Sequence, residues 1–265
     1  MPAVRTDALT KQYGDVTALE DLALTVESGA IYGLLGPNGS GKTTTIEILT
    51  GQQEPTAGTA SVLGIDPAAA PLEVRRSIGV LPEREDPPSF LTPREYLRFV
   101  ADVRGIEDPA GRIETWARRL EFGGILDTLS TDLSEGERQR VMLAQAFVHD
   151  PDLVFIDEPL VNLDPLMQET VKAHLEDFRD RGKTLFLSTH FVPVAADLCS
   201  DVGILVDGRL VAEPDPETLD ERSLLETFAD EVDAAVPPAE GAGSEPGPAK
   251  SRRAPSGTDG RVSDE

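Results

Sequence analysis

Four short apolar runs punctuate the chain: Ile31–Leu35, Ile78–Leu81, Leu153–Ile156 and Thr184–Ser188. Runs of this length without polar alternation predict strands buried on both faces, as in a parallel sheet covered by helices. Near the end, Val202–Val206 and Arg209–Glu213 flank Asp207-Gly208, a pair that predicts a tight hairpin. The segment Leu22–Glu27 alternates apolar and polar residues and is expected in an antiparallel edge sheet. Thr92–Arg104 and Pro109–Phe122 carry apolar residues at helical spacing. Thr92-Pro93-Arg94-Glu95 has the form of a capping box with proline at the first helical position. Strands alternating with helices predict an α/β fold. Residues 231–265 are rich in Ala, Pro, Gly and Ser and hold no Leu, Ile or aromatic residue. They bury too little apolar surface to offset ordering entropy, so a disordered tail is expected after a domain spanning 1–230.

Charge changes the picture of where such a domain works. The 265 residues include 48 acids and 24 bases, a net −24. The excess lies in the part expected to fold, with −21 in residues 1–230 and −3 in 231–265. Only 5 of the bases are lysine. An acid-rich, lysine-poor surface points to a halophilic origin, where high salt screens self-repulsion. The same surface argues against nucleic acid as a partner. No apolar run approaches the 18 or so residues of a membrane span, so no direct membrane insertion is expected. The start, MPAVRTDALTKQYG, has no apolar signal segment, and Cys199 stands alone, so a reducing cytoplasm is expected.

The chemistry begins at residues 36–43, Gly36-Pro37-Asn38-Gly39-Ser40-Gly41-Lys42-Thr43. They fit G-x-x-x-x-G-K-[ST] and lie between the first apolar run and the helical stretch Thr44–Leu49. Glycines let backbone amides turn towards phosphate oxygens, and the helix N-terminus adds its dipole. Lys42 can neutralise β and γ phosphates, and the Thr43 hydroxyl can ligate Mg²⁺. Residues 153–158, LVFIDE, form a buried strand ending in two acids, at the sheet edge where open α/β folds bind ligands. Neighbouring strand residues point oppositely, so Asp157 and Glu158 should do different work. Asp157 is expected to hold Mg²⁺ through water, and Glu158 to orient and deprotonate the attacking water. Thr43 and Asp157 are 114 residues apart, far more than one crossover needs, so a helical subdomain is expected at roughly 84–150.

Just before that strand stands Leu133-Ser134-Glu135-Gly136-Glu137, which resembles the L-S-G-G-Q signature of ATP-binding-cassette (ABC) proteins. Phosphate loop, signature, acid-ended strand and a later histidine follow that family's order over roughly residues 4–230. The resemblance implies a P-loop NTPase of ABC type, with a parallel core sheet, an antiparallel edge sheet and an inserted helical subdomain. It implies ATP and Mg²⁺ as cofactors, with Thr44 closing the nucleotide loop. It implies Tyr13 stacking on adenine, although Tyr13 also reads as a core aromatic. His190, in FLSTHF, matches the switch histidine. Ser134 and Gly136 would act on nucleotide held by a second subunit, and Ser134-x-x-Glu137 is also a plain capping box. Asp164 matches the loop touching the partner's site and also reads as a helix N-cap before Pro165. Glu83 stands where the family often has glutamine and is a further candidate metal ligand. Glu135 and Glu137 replace the usual glycine and glutamine. Residues 36–66 and IGVLPERE look most like the ABC-2-type export group, and SLLETFADEV resembles its short C-terminal helix. The implied protein is a dimeric ATPase bound to separate permease subunits at the inner face of the membrane. An importer ATPase and a soluble ABC ATPase are the alternatives.

Overall fold

A computed structural model describes residues 1–83, 86–214 and 220–235. The core is a six-stranded sheet ordered β10-β9-β4-β8-β7-β6. Its strands are β4 (Ile31–Leu35), β6 (Ile78–Leu81), β7 (Leu153–Asp157), β8 (Thr184–Thr189), β9 (Asp201–Val206) and β10 (Arg209–Ala212). All neighbours are parallel except β9 and β10. The β9–β10 turn carries Asp207 at φ 46° and Gly208 at φ 79°, as a two-residue hairpin of this twist requires. Every residue of β4, β7 and β8 is buried, which explains their unbroken apolar character.

A second, antiparallel sheet combines β1 (Pro2–Tyr13), β2 (Val16–Leu22), β3 (Thr25–Glu27) and β5 (Ala57–Val62), all paired to β1. The expected strand Leu22–Glu27 is divided between β2 and β3. Thr6 patches the break: its hydroxyl donates to the Leu22 carbonyl and accepts from the Leu24 amide, each at 3.0 Å.

The helices are α1 (Lys42–Leu49), α2 (Pro71–Ser77), α3 (Pro93–Arg104), α4 (Pro109–Arg119), α5 (Glu135–Phe147), α6 (Pro165–Asp180), α7 (Val192–Leu198) and α8 (Glu221–Ala235). Thr92 caps α3 through a full capping box, and Asp108 caps α4. The inserted helices α3 to α5 share one apolar cluster with the sheet: Leu97, Ile113, Trp116 and Phe147 join Val154, Ile156 and Leu187. Each such buried side chain contributes roughly 1.5–3 kcal/mol. One boundary moves. Glu231–Ala235 form the last turn of α8, where Phe228 and Val232 pack against Leu35 and Ile204, so a tail cannot begin at 231. The rest of the expected tail, and residues 84–85 of the expected subdomain, lie outside the described residues.

Candidate nucleotide site

The phosphate loop leaves β4 and turns into α1 through Gly41, at φ 107°. A Cβ there would lie 2.5 Å from the Ala18 carbonyl oxygen, so both dihedral and space demand glycine. No side chain caps α1, which leaves its first amides available to an anion. Lys42 is buried and donates to the carbonyls of Gly36 at 2.8 Å and Pro37 at 3.1 Å. Burial lowers its pKa, while the carboxylates of Glu158, Asp157 and Glu83 oppose that shift. The Ser40 hydroxyl is buried with no hydrogen-bond partner among the described residues. An orphaned hydroxyl beside a buried ammonium and uncapped amides fits a phosphate chain.

Asp157 ends β7 beneath this loop. The Thr43 hydroxyl donates to Asp157 Oδ2 at 2.8 Å, and the Ser188 hydroxyl donates to Asp157 Oδ1. A hydroxyl and a carboxylate side by side are hard oxygen donors of the kind Mg²⁺ takes, one or two from protein and the rest from phosphate and water. Among the described residues, no group of three or more His, Cys, Asp or Glu could hold a metal by itself. The residues present therefore fit Mg²⁺ arriving with a nucleotide.

Glu158 leaves the strand at φ 57°, so strand alternation does not set its direction. Its amide still donates to the Ser188 carbonyl at 2.9 Å. The left-handed residue turns the side chain towards the end of β8. There Glu158 Oε2 accepts from the Thr189 hydroxyl at 3.0 Å, and Oε1 meets the His190 amide at 3.0 Å and His190 Nδ1 at 2.5 Å. The two acids thus face different partners, as expected, but by a backbone turn. Ser188 and Thr189, one for each acid, were not singled out in the sequence. Their adjacent places before His190 in FLSTHF are the signal that could have found them.

A cavity of about 590 Å³ brings together Asn38, Gly39, Gly41, Lys42, Thr43, Thr44, Glu83, Asp157 and Glu158. Tyr13 does not line it. It sits exposed at the end of β1, with the Lys11 ammonium 4.9 Å above its ring, so it is not the core aromatic that one reading allowed. Ser134 and Gly136 do not line it either. Ser134 caps α5 in a full capping box: it accepts from the Glu137 amide at 3.3 Å, and Glu137 Oε2 accepts from the Ser134 amide at 2.8 Å and lies 2.9 Å from its hydroxyl. These bonds hold the Glu137 carboxyl below its usual pKa. A Cβ on Gly136 would come within 2.9 Å of the Asn162 carbonyl oxygen, so the signature turn packs on the loop after Glu158. Asp164 caps α6, accepting from the Leu166 and Met167 amides at 3.1 Å.

The other two histidines are structural. His149, just past α5, meets the Ile78 carbonyl at 3.0 Å, and His174, on α6, packs edge-on against Trp116. Burial lowers both pKa values to about 4.

Comparison with known proteins agrees with this geometry. The family model described as ABC transporter matches residues 19–161. Nod factor export ATP-binding protein I of Burkholderia orbicola (strain AU 1054) is 36% identical over 217 residues, covering 81% of this chain and 71% of that protein. The probable multidrug ABC transporter ATP-binding protein YbhF of Escherichia coli (strain K12) is 33% identical over 217 residues, and the match spans only 37% of its length. A solved structure of an ATP-binding subunit of an ABC transporter superposes with a TM-score of 0.80 at 29% identity, covering 87% of this chain and 99% of that one. A dimeric post-hydrolysis ATP-binding cassette with ADP and Pi bound shares the fold, with a TM-score of 0.75 at 24% identity over 80% of this chain and 98% of that one. No helix among the described residues is long and apolar enough to cross a membrane. A phosphate loop over an acid-ended strand, a matching family model and relatives at 33–36% identity lead to one conclusion: this chain belongs to the ABC transporter family, as an ATP-binding and ATP-hydrolysing subunit.

Proposed function

We propose that the chain powers a separate membrane permease in export of the ABC-2 type, working from the cytoplasmic face in a halophilic cell. The observation that carries the proposal is the division of labour at the end of β7. Asp157 meets Thr43 under the phosphate loop, while Glu158 meets His190 beside it. The relatives named for Nod factor export and multidrug transport support the direction of transport.

In this reading the phosphate loop from Gly36 to Thr44, with Pro37, Asn38, Gly39, Ser40 and Gly41, binds the triphosphate, and Lys42 neutralises its outer charges. Thr43 and Asp157 hold Mg²⁺, with Glu83 as a further candidate ligand at the cavity wall. The metal, when bound, supplies charge neutralisation at the phosphates. Glu158 takes the proton of the attacking water. Both its oxygens are engaged by Thr189 and His190, so abstraction needs one of them freed. His190 is placed to hold the base until phosphate arrives. Tyr13, exposed at the end of β1, is free to stack on an adenine. Ser134 and Gly136 present the capped end of α5 to nucleotide on a second copy, with Asp164 in the loop beside that interface.

Two dead variants test the shared site. Lys42→Ala and Ser134→Arg homodimers each have both sites broken, whereas a mixed dimer keeps one intact. Mixing them should restore up to about a quarter of wild-type hydrolysis, because random pairing makes about half the dimers mixed. Co-eluting mixed dimers that hydrolyse nothing would count against a shared site. Isolation from native membranes should recover the chain with a membrane-spanning partner; recovery without one would favour a soluble ATPase.

A further inference from the structure

A small cavity of about 100 Å³ lies between α4, the residues after α5, and α6, and shares no lining residue with the nucleotide cavity. Arg112, Arg119 and Arg181 line it with Trp116 and Asp150. Three guanidiniums converging on one hollow are unexpected in a chain with 48 acids and 24 bases. Elsewhere Arg94, Arg98, Arg138 and Arg222 each meet a carboxylate at 3.2 Å or closer. At the cavity, Arg112 has no side-chain hydrogen bond or ion pair among the described residues, and Arg119 has only the Trp116 ring, 5.4 Å away. Arg181 lies 5.4 Å from the Phe178 ring, donates through Nε to the Asp177 carbonyl at 3.3 Å, and lies 3.5 and 3.7 Å from the Asp177 and Asp150 carboxylates, so it is the most engaged of the three. Asp150, a carboxylate in the lining, is also shared with Lys183 at 3.8 Å. Stacking on a ring fixes a guanidinium while its in-plane N–H donors stay free, and those donors match an oxyanion two at a time.

We propose that this cavity binds one tetrahedral oxyanion, with inorganic phosphate, which ATP hydrolysis releases, as its ligand. The volume admits an ion of a few atoms, whereas the nucleotide cavity is about 590 Å³. A bound phosphate would join α4 of the inserted helices to α6 of the core through opposing arginines. The site is independent of the transport reading, since none of its residues belongs to the nucleotide machinery.

The test uses the full chain with a saturating non-hydrolysable MgATP analogue, so that the γ-phosphate position of the nucleotide cavity is filled and closed to the titrant. Inorganic phosphate is titrated at ionic strength held constant with KCl, which separates binding from screening. Calorimetry should show one saturable site per chain. The thermal midpoint should rise by about 3 °C at ten times the dissociation constant. Arg118→Ala, on the same helix but outside the lining, should keep both effects, and the double variant Arg112→Ala/Arg119→Ala should lose both. All are exposed positions, so folding is checked by the variants' own midpoints without phosphate. No saturable binding to wild type, or an equal midpoint rise in the double variant, would overturn the proposal.

Discussion

Gln168 offers the sharpest test of how the site is held. The loop from Pro159 to Asp164 links Glu158 to α6 and carries Asn162 at φ 64°. The Gln168 side-chain amide donates to the carbonyls of Leu160 at 3.1 Å and Leu163 at 3.2 Å, tying the loop to the first turns of α6. Each bond contributes a net of about 0.5–1.5 kcal/mol. Both are partly buried, so Gln168→Ala should cost about 1–2 kcal/mol and lower the thermal midpoint by roughly 3–6 °C. Gln168→Glu keeps the shape but sets a carboxylate against two carbonyl oxygens, so its midpoint should fall further than that of alanine. Turnover should fall in both variants while nucleotide affinity holds, because the loop carries the residue behind Gly136 and follows Glu158, not the phosphate loop. Circular dichroism melting and ATP turnover at one salt concentration decide the matter. If glutamate melts at or above alanine, or if both melt with wild type, the clamp is not what holds the loop.

Three other outcomes follow from the same geometry. Gly136→Ala places a methyl 2.9 Å from the Asn162 carbonyl, so the signature turn must shift by a few tenths of an ångström; hydrolysis should drop while ATP binding to the isolated chain persists. His149 and His174 have folded pKa values of about 4 against 6.5 unfolded, so the unfolded chain binds more protons below pH 6.5. Stability is therefore full above pH 6.5 and is lost as pH falls towards 4, and the denaturant midpoint of wild type should fall further than that of His174→Leu over that window. With a net −24, the thermal midpoint should rise as KCl goes from about 0.1 M to about 1 M, where the Debye length shrinks from about 10 Å to about 3 Å; a flat or falling midpoint would count against a halophilic origin.

The central sheet was legible in the sequence because its strands are buried on both faces and read as continuous apolar runs. Asp207-Gly208 and the Thr92 and Ser134 boxes were legible because local chemistry alone fixes them. The β1–β2–β5 sheet was largely missed. β1 breaks its alternation at Ala8, φ 47°, and its register shifts between Leu9 and Lys11, so no period of two survives there. At the site, the phosphate loop and Asp157 could be read from spacing. The direction of Glu158 could not, since a left-handed φ at a glutamate leaves no local signature. The pairing of Glu158 with His190, 32 residues on, depends on β7 and β8 being neighbours. Tyr13 and the Ser134 end of α5 do not line the cavity, so their roles could be read only from the resemblance.

Glu158→Gln in single-turnover ATP hydrolysis, with ATP binding measured alongside, tests the account most directly. The amide keeps an acceptor for Thr189 but cannot take a proton from water. Hydrolysis should fall by about 100-fold or more while ATP binding and ATP-dependent pairing of two chains persist. Hydrolysis near the wild-type rate would contradict the assignment of Glu158 as the base and, with it, the reading of the β7 edge.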